Sequence, residues 1–322
     1  MCFSLNLYEP INKWKKQQLQ LIPKDVYTLN HIHDEAMNEV LHIAISIVGT
    51  PPCPFTWFIT GSGGRFEQSF ISDQDHGLLY AEESPICKYY FKKLGEEVSF
   101  GLAAVGYPYC KGNIMSSNPL WCQSFENWQK QLDVWITDSG WDAIRYLQIF
   151  YDARALYQDF ELLEPLKRKI HTYCTEHSYL LNLFAKNSQY TKKVVGPLGQ
   201  FIPERYGPYQ GSIDLKYSAF MPYVNAIRLL AIKEGVYETS TLARIKQLHQ
   251  LQPYVTLLQN CYDSFELLLH YRLLSHSANT YEDVHFFNIS QLSPIERKQL
   301  KQIIKTGIYI HQMTLKQIEK GC

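Results

Sequence analysis

Residues 55–80 constrain this chain more than any other stretch. Phe55-Thr56-Trp57-Phe58-Ile59-Thr60 is short, aromatic and β-branched, the composition of a buried strand, and Gly77 to Tyr80 reads as a second strand. Between them run about 15 residues, opened by glycines at 61, 63 and 64 and closed by Asp73-Gln74-Asp75. Structureless connections of that length are uncommon in compact domains, which suggests a functional loop. Gly61 and Ser62 end the first strand. Small residues there let backbone N–H groups approach an anion, and the serine hydroxyl adds a donor. Strand side chains alternate, so Asp73 and Asp75 share a face. Two carboxylates beside a phosphate cradle can hold Mg2+, which takes oxygen ligands from one or two carboxylates and the substrate phosphates. Paired ions of that kind clamp the attacking and leaving oxygens of an in-line displacement. The competing reading is an Asx turn or a helix cap after an ordinary glycine turn.

Other glycine-rich motifs fit worse. A P-loop needs Lys and then Ser or Thr after its last glycine, whereas Gly64 is followed by Arg65-Phe66. A dinucleotide fingerprint needs a third glycine where Phe66 stands, and a nucleophile elbow needs glycine where Thr60 stands. Lys plus Arg equals Asp plus Glu, 31 each, so a broad basic face for nucleic acid is not expected. No apolar run approaches the roughly 18–20 residues of a membrane span, and Met1 to Lys16 does not read as a secretory signal. The eight cysteines contain no C-x-x-C pair. They read as buried or free thiols of a cytoplasmic protein.

Apolar periodicity predicts helices over 24–48, 86–105, 122–136, 141–158 and 161–187, with a strand-like or loop stretch at 107–118. Residues 195–212 are dense in Gly and Pro and read as a hinge or irregular loop. Helices follow over 217–235, 240–250, 253–275 and 293–318, the last opened by a Ser293–Glu296 capping box. The expected class is α+β: an N-terminal helical segment (1–50), a small α/β domain (51–165) and an all-helical bundle domain (166–322). Glu39-x-x-His42 and Glu282-x-x-His285 have di-iron spacing, but the further glutamates such a site needs are not evident.

Gly-Ser followed by Asp-x-Asp is the signature of the nucleotidyltransferase superfamily related to DNA polymerase beta. Residues 57–80, WFITGSGGRFEQSFISDQDHGLLY, resemble the N-terminal domain of PII-protein uridylyltransferases and, more narrowly, the bacterial DUF294 family. Residues 109–121 (YCKGNIMSSNPLW) and 149–159 (IFYDARALYQD) are similar to later motifs of that family, and 212–235 is similar to its helical substrate-binding companion domain. The resemblance implies that Gly61 and Ser62 hold a triphosphate and that Asp73 and Asp75 ligate Mg2+. It implies a third carboxylate, for which Asp152 comes first and Asp142 second. A salt bridge of Asp152 to Arg154 or to a helical neighbour is the alternative. Arg65 would pair with a phosphate and Glu67 would orient it. Asp214 and Lys216 would reach the nucleotide, or else serve as a helix cap and a surface lysine.

The implied activity is Mg-dependent transfer of a nucleoside monophosphate from a nucleoside triphosphate to a protein or small-molecule acceptor. The alternatives are a decayed nucleotide-sensing or protein-interaction module, and a small-molecule transferase of the aminoglycoside-modifying kind. The regulatory CBS or cyclic-nucleotide modules of many relatives, and the HD and ACT domains of full uridylyltransferases, are not expected in this chain, nor are uridylyl removal and glutamine sensing.

Overall fold

The structure, a computed structural model, describes residues 2–21, 25–158, 161–274 and 278–321, with side chains from residue 6 onward. The expected helical residues Lys24 and Ser275 lie outside the described residues, as do Cys322 and the side chain of Cys2. In chain order the elements are α1 (Cys2–Gln20), α2 (Val26–Val48), β1 (Phe55–Ile59), α3 (Gly61–Gly64), β2 (His76–Tyr80), α4 (Pro85–Ala104), β3 (Cys122–Ser124), α5 (Phe125–Asp138), α6 (Trp141–Tyr151), β4 (Arg154–Tyr157), α7 (Leu163–Glu176) and α8 (Ser178–Asn187). They continue with β5 (Ser212–Asp214), α9 (Met221–Glu234), α10 (Thr241–His249), α11 (Cys261–Leu273), β6 (Phe286–Asn288) and α12 (Pro294–Lys320). The chain divides into two compact units: Met1–Asp138 with Ile149–Lys169, and Ser139–Gln148 with Ile170–Cys322. The class is α+β, as the sequence suggests.

The first unit is built on a four-stranded sheet in the order β3-β2-β1-β4. β1 is antiparallel to both β2 and β4, and β2 is parallel to β3. Strand alternation sends Phe55, Trp57 and Ile59 to one face, where they join Leu78, Tyr80 and the buried residues of α1, α2 and α4. Phe58 points the other way, onto Trp128 and Phe150. Both faces are therefore covered, which explains why all five residues of β1 are buried. Among the described residues no helix is long and apolar enough to cross a membrane. The six cysteines with described side chains are all unbridged.

Several expected elements are redrawn. The helix expected over 141–158 stops at Tyr151, because the Asp152 and Ala153 N–H groups bond back to Ile149 and Phe150 carbonyls (3.1 and 2.9 Å) and tighten its last turn. Residues 154–157 then take the free edge of β1, a pairing that overrides the helical period. Cys122–Ser124 likewise pairs with β2 before α5 begins. Of the two readings of 107–118, strand-like or loop, the second holds: the stretch is turns, tied to Gln74 by a bridge from Tyr109. The helix expected over 161–187 is two helices, broken at His177, and the last helix before residue 275 starts at Cys261.

The second unit centres on α9, buried continuously from Pro222 to Ile232, with Asn225 and Arg228 as its buried polar residues. Helices α8, α10 and α12 pack on it, and β5 pairs antiparallel with β6. The expected capping box opens α12.

Candidate functional site

The two ends of the 61–75 loop are stitched together where the strands begin. Thr60 N–H donates to the Asp75 carbonyl at 2.8 Å, continuing the β1–β2 ladder. Gly61 has φ +57°, a conformation that favours glycine, and a Cβ on it would lie 2.5 Å from Asp75 Oδ2 and push that carboxylate aside. One helical turn follows, closed by Gly64 N–H to the Thr60 carbonyl at 2.9 Å. A Cβ on Gly64 would sit 2.1 Å from the Asp152 carbonyl oxygen. A single turn leaves its first N–H groups outside its own ladder, here those ahead of Gly64.

Asp73 and Asp75 are half-buried on one face, while Gln74 and His76 alternate inward and are fully buried. Gln74 is anchored three ways. Its amide nitrogen donates to the carbonyls of Ser99 (3.2 Å) and Tyr107 (3.1 Å), and its Oε1 accepts from His76 Nε2 (3.0 Å). Nδ1 of His76 accepts from the Trp57 indole at 3.2 Å, so the ring is neutral with its proton on Nε2. Burial pushes its pKa down to about 3. This inward scaffold fixes the direction of both carboxylates.

A third side chain joins them. Ligand atoms of Asp73, Asp75 and Cys110 all lie within 4.8 Å of one another, the one such cluster among the described residues. Burial, and then the neighbouring Asp75 carboxylate to which its thiol donates, push the Cys110 thiol well above its ordinary range. Thr60, Ser62 and Gln68 line one pocket with Asp73 and Asp75. Thr60 Oγ1 and Gln68 Oε1 are buried without a hydrogen-bond partner. Two orphaned oxygens beside two carboxylates suit a bound cation and its anionic ligand. Sequence reasoning missed Cys110, Thr60 and Gln68. The signal for Cys110 was present in the 109–121 motif, but its place beside Asp75 depends on the Tyr109–Gln74 bridge.

The residues behind the glycine turn form two ionic clamps. Arg65 donates from Nε to Glu67 and from an Nη to Asp152, both at 2.8 Å, and all three are buried. Burial works against the guanidinium charge, yet the two carboxylates hold its pKa above the usual arginine range. The Asp152 carboxylate thus faces Arg65 rather than Arg154. Arg154 instead makes two bonds to Asp34 (2.9 and 3.0 Å), a third to the Gly63 carbonyl (3.1 Å), and covers the Phe66 ring at 3.7 Å. Phe66 itself has φ +58°, a left-handed conformation costly for a bulky residue.

Of the remaining sequence candidates, Asp142, Asp214 and Lys216 belong to the second unit, and Glu39 and His42 to the first. Asp142 is exposed in the first turn of α6. Asp214 is buried and accepts from Tyr217 N–H at 3.1 Å, capping the turn that leads to α9. Lys216 is half-buried, its Nζ 3.4 Å from both the Tyr281 hydroxyl and His285 Nε2. Glu39 and His42 form an exposed contact at 3.7 Å along α2.

A Gly-Ser turn thus stands against an Asp-x-Asp pair at the end of a small mixed sheet. Residues 24–141 match the family model described as Putative nucleotidyltransferase DUF294. Residues 178–318 match the model described as Putative nucleotidyltransferase substrate binding domain. The chain belongs to the DUF294 family, and its first matched segment is a nucleotidyltransferase domain with a nucleotide as substrate. Among curated proteins none matches the chain in sequence.

Proposed function

We propose that the first unit transfers a nucleoside monophosphate from a nucleoside triphosphate to an acceptor, with release of pyrophosphate. The observation that carries this reading is the meeting of Asp73 and Asp75 with the Gly61–Ser62 turn, in a pocket that also holds two unsatisfied buried oxygens. Asp73 and Asp75 would hold Mg2+, which supplies charge neutralisation on the phosphate oxygens when bound. The Gly61 and Ser62 N–H groups and the Ser62 and Thr60 hydroxyls donate to the polyphosphate. The buried Arg65–Glu67–Asp152 clamp and the half-buried Arg154–Asp34 clamp keep that turn in one conformation, so its donors need no rearrangement as charge develops. Asp152 acts in this reading as a positioning residue. The resemblance of residues 57–80 to PII-protein uridylyltransferases favours a protein acceptor.

A nucleotide-sensing module without turnover is the second reading. It is favoured by one observation, that the carboxylate of Asp152 is engaged by Arg65 inside the fold. Incubating the protein with each labelled triphosphate, Mg2+ and a lysate of its host separates the two. Incorporation that disappears in Asp73→Asn and Asp75→Asn, with circular dichroism unchanged, supports transfer. Full activity in both variants refutes the assigned roles. Calorimetric binding of a triphosphate with no labelled product supports the sensor.

A further inference from the structure

We propose that Cys110 sets the cation selectivity of the acidic pair: hard cations bind through Asp73 and Asp75 alone, whereas thiophilic cations also take the Cys110 sulfur as a third ligand. The inference rests on the reading of Asp73 and Asp75 as a cation site. Three observations carry it.

The first is reach. The two carboxylates and Sγ offer ligand atoms within 4.8 Å of one another. A zinc-like ion takes oxygen at about 2.0–2.2 Å and sulfur at about 2.3 Å, so two ligands of its tetrahedral set stand about 3.5 Å apart. Small side-chain rotations close the remaining gap. The second is construction. The backbone carrying Cys110 is sewn along the Asp73–Asp75 segment by Gln74 N–H to Pro108 (3.1 Å), His76 N–H to Ile114 (3.0 Å) and the Tyr109–Gln74 bridge. A turn closed by Asn113 N–H to the Cys110 carbonyl (2.9 Å) holds it from the other side. The thiol is therefore built into the site rather than straying near it. The third is independent of both. Thr60 Oγ1 and Gln68 Oε1, on residues each 1% exposed, line the same pocket as Asp73 and Asp75 without a hydrogen-bond partner. Buried oxygens left unpaired mark a space meant to hold something polar.

Ligand chemistry then divides the cations. Mg2+ is hard, keeps several waters and prefers carboxylate and phosphate oxygen, so it leaves the sulfur as a protonated donor to Asp75. Co2+, Zn2+ and Cd2+ accept thiolate. As the metal–sulfur bond forms, the thiol proton passes to solvent. Two carboxylates and one thiolate make three protein ligands of a tetrahedral set and leave one position for water or phosphate.

The test uses the full chain without nucleotide. Co2+ and Cd2+ are titrated while the thiolate-to-metal charge-transfer absorption is recorded, and Mg2+ and Cd2+ affinities are measured by calorimetry. The wild type is expected to develop the band at one metal per chain. Cys110→Ser is expected to lose it, to lose Cd2+ affinity by at least about tenfold (the loss that second-shell changes alone can cause), and to keep Mg2+ affinity within about threefold. Cys110→Ala, with the same melting temperature as Cys110→Ser, guards against a folding artefact. A band that survives in both variants overturns the proposal, as does an equal loss of Mg2+ and Cd2+ affinity. A wild type that binds Mg2+ through Asp73 and Asp75 but shows no band overturns this inference and leaves the functional reading standing. A wild type that binds no divalent cation overturns both.

Discussion

Arg65 offers the sharpest test of how the glycine turn is held. Its guanidinium bonds Glu67 and Asp152 at 2.8 Å each, and those residues are 1% and 0% exposed. Arg65→Met keeps most of the side-chain volume and removes the charge, so the cost is that of stranding buried carboxylates rather than opening a cavity. Removing one partner of a buried ion pair costs about 3–5 kcal/mol. One cation here serves two carboxylates, which places the expected loss at the upper end of that range. Total stabilities of about 5–15 kcal/mol leave the variant folded but with a lowered urea midpoint. Tryptophan fluorescence reports on the right unit, since Trp57, Trp121 and Trp128 are all buried there. The triple variant Arg65→Met, Glu67→Gln, Asp152→Asn removes the charges together and should recover more than half of the loss. A loss below about 1 kcal/mol in Arg65→Met would refute the reasoning, as would a triple variant no more stable than the single. An arginine acting chiefly as a phosphate ligand, the role its place in the motif implies, would give the opposite pattern: unchanged stability and weakened triphosphate binding.

Three further outcomes are expected. Gly64→Ala drives a methyl group to 2.1 Å from the Asp152 carbonyl, backbone that cannot step aside, and should cost about 1–3 kcal/mol or more in urea unfolding; Gly199→Ala, where nothing lies within 4 Å, is the milder control despite its φ of +77°. Burial holds His33 and His76 neutral, each with its pKa pushed down to about 3 from 6.5. The unfolded chain therefore binds more protons between those values, and stability falls as pH drops from about 6.5 towards 3, by about 1.4 kcal/mol per pH unit for each ring. His33→Gln should flatten that slope by one such increment, and an unchanged slope would contradict it. Lys15, buried over the Tyr107 ring at 3.8 Å, has its pKa lowered by burial to about 7 from 10.5. Wild-type stability should then rise between pH 7 and 10.5, so the stabilisation brought by Lys15→Met, read from melting curves, should shrink across that window.

How much of this was legible in the chain depends on the range over which each feature is determined. The strands β1 and β2 follow from local composition, and the shared face of Asp73 and Asp75 from alternation alone. The glycines at 61 and 64 could be seen as punctuation, but the reason for each is a distant group, Asp75 in one case and the Asp152 carbonyl in the other. β4 was hidden because residues 141–151 carry a helical period that no glycine or proline interrupts before Asp152; a tightened last turn and the open edge of β1 end it. Glu67 was legible beside Arg65, but the second partner of Arg65 lies 87 residues away and that of Arg154 lies 120 away, separations at which sequence offers no register. Cys110 was readable as part of a motif and unreadable as a neighbour of Asp75, because the bridge that brings it there joins two turns rather than two strands.

The long-range pairs also explain why the turn is built as it is. A glycine-rich loop has many conformations, and fixing one costs more entropy per residue than any other composition. Buried ion pairs gain little net stability over apolar packing, but each allows few alternative geometries. Arg65 pins the turn from within through Glu67 and Asp152. Arg154 pins it through Asp34, the Gly63 carbonyl and the Phe66 ring, over a residue already forced to φ +58°. Stability alone would not select a strained phenylalanine, one buried arginine and one half-buried arginine beside the same four glycine-rich residues. A turn whose donors must stand ready for a polyphosphate would, because catalysis by positioning fails when the donors are displaced by as little as about 1 Å.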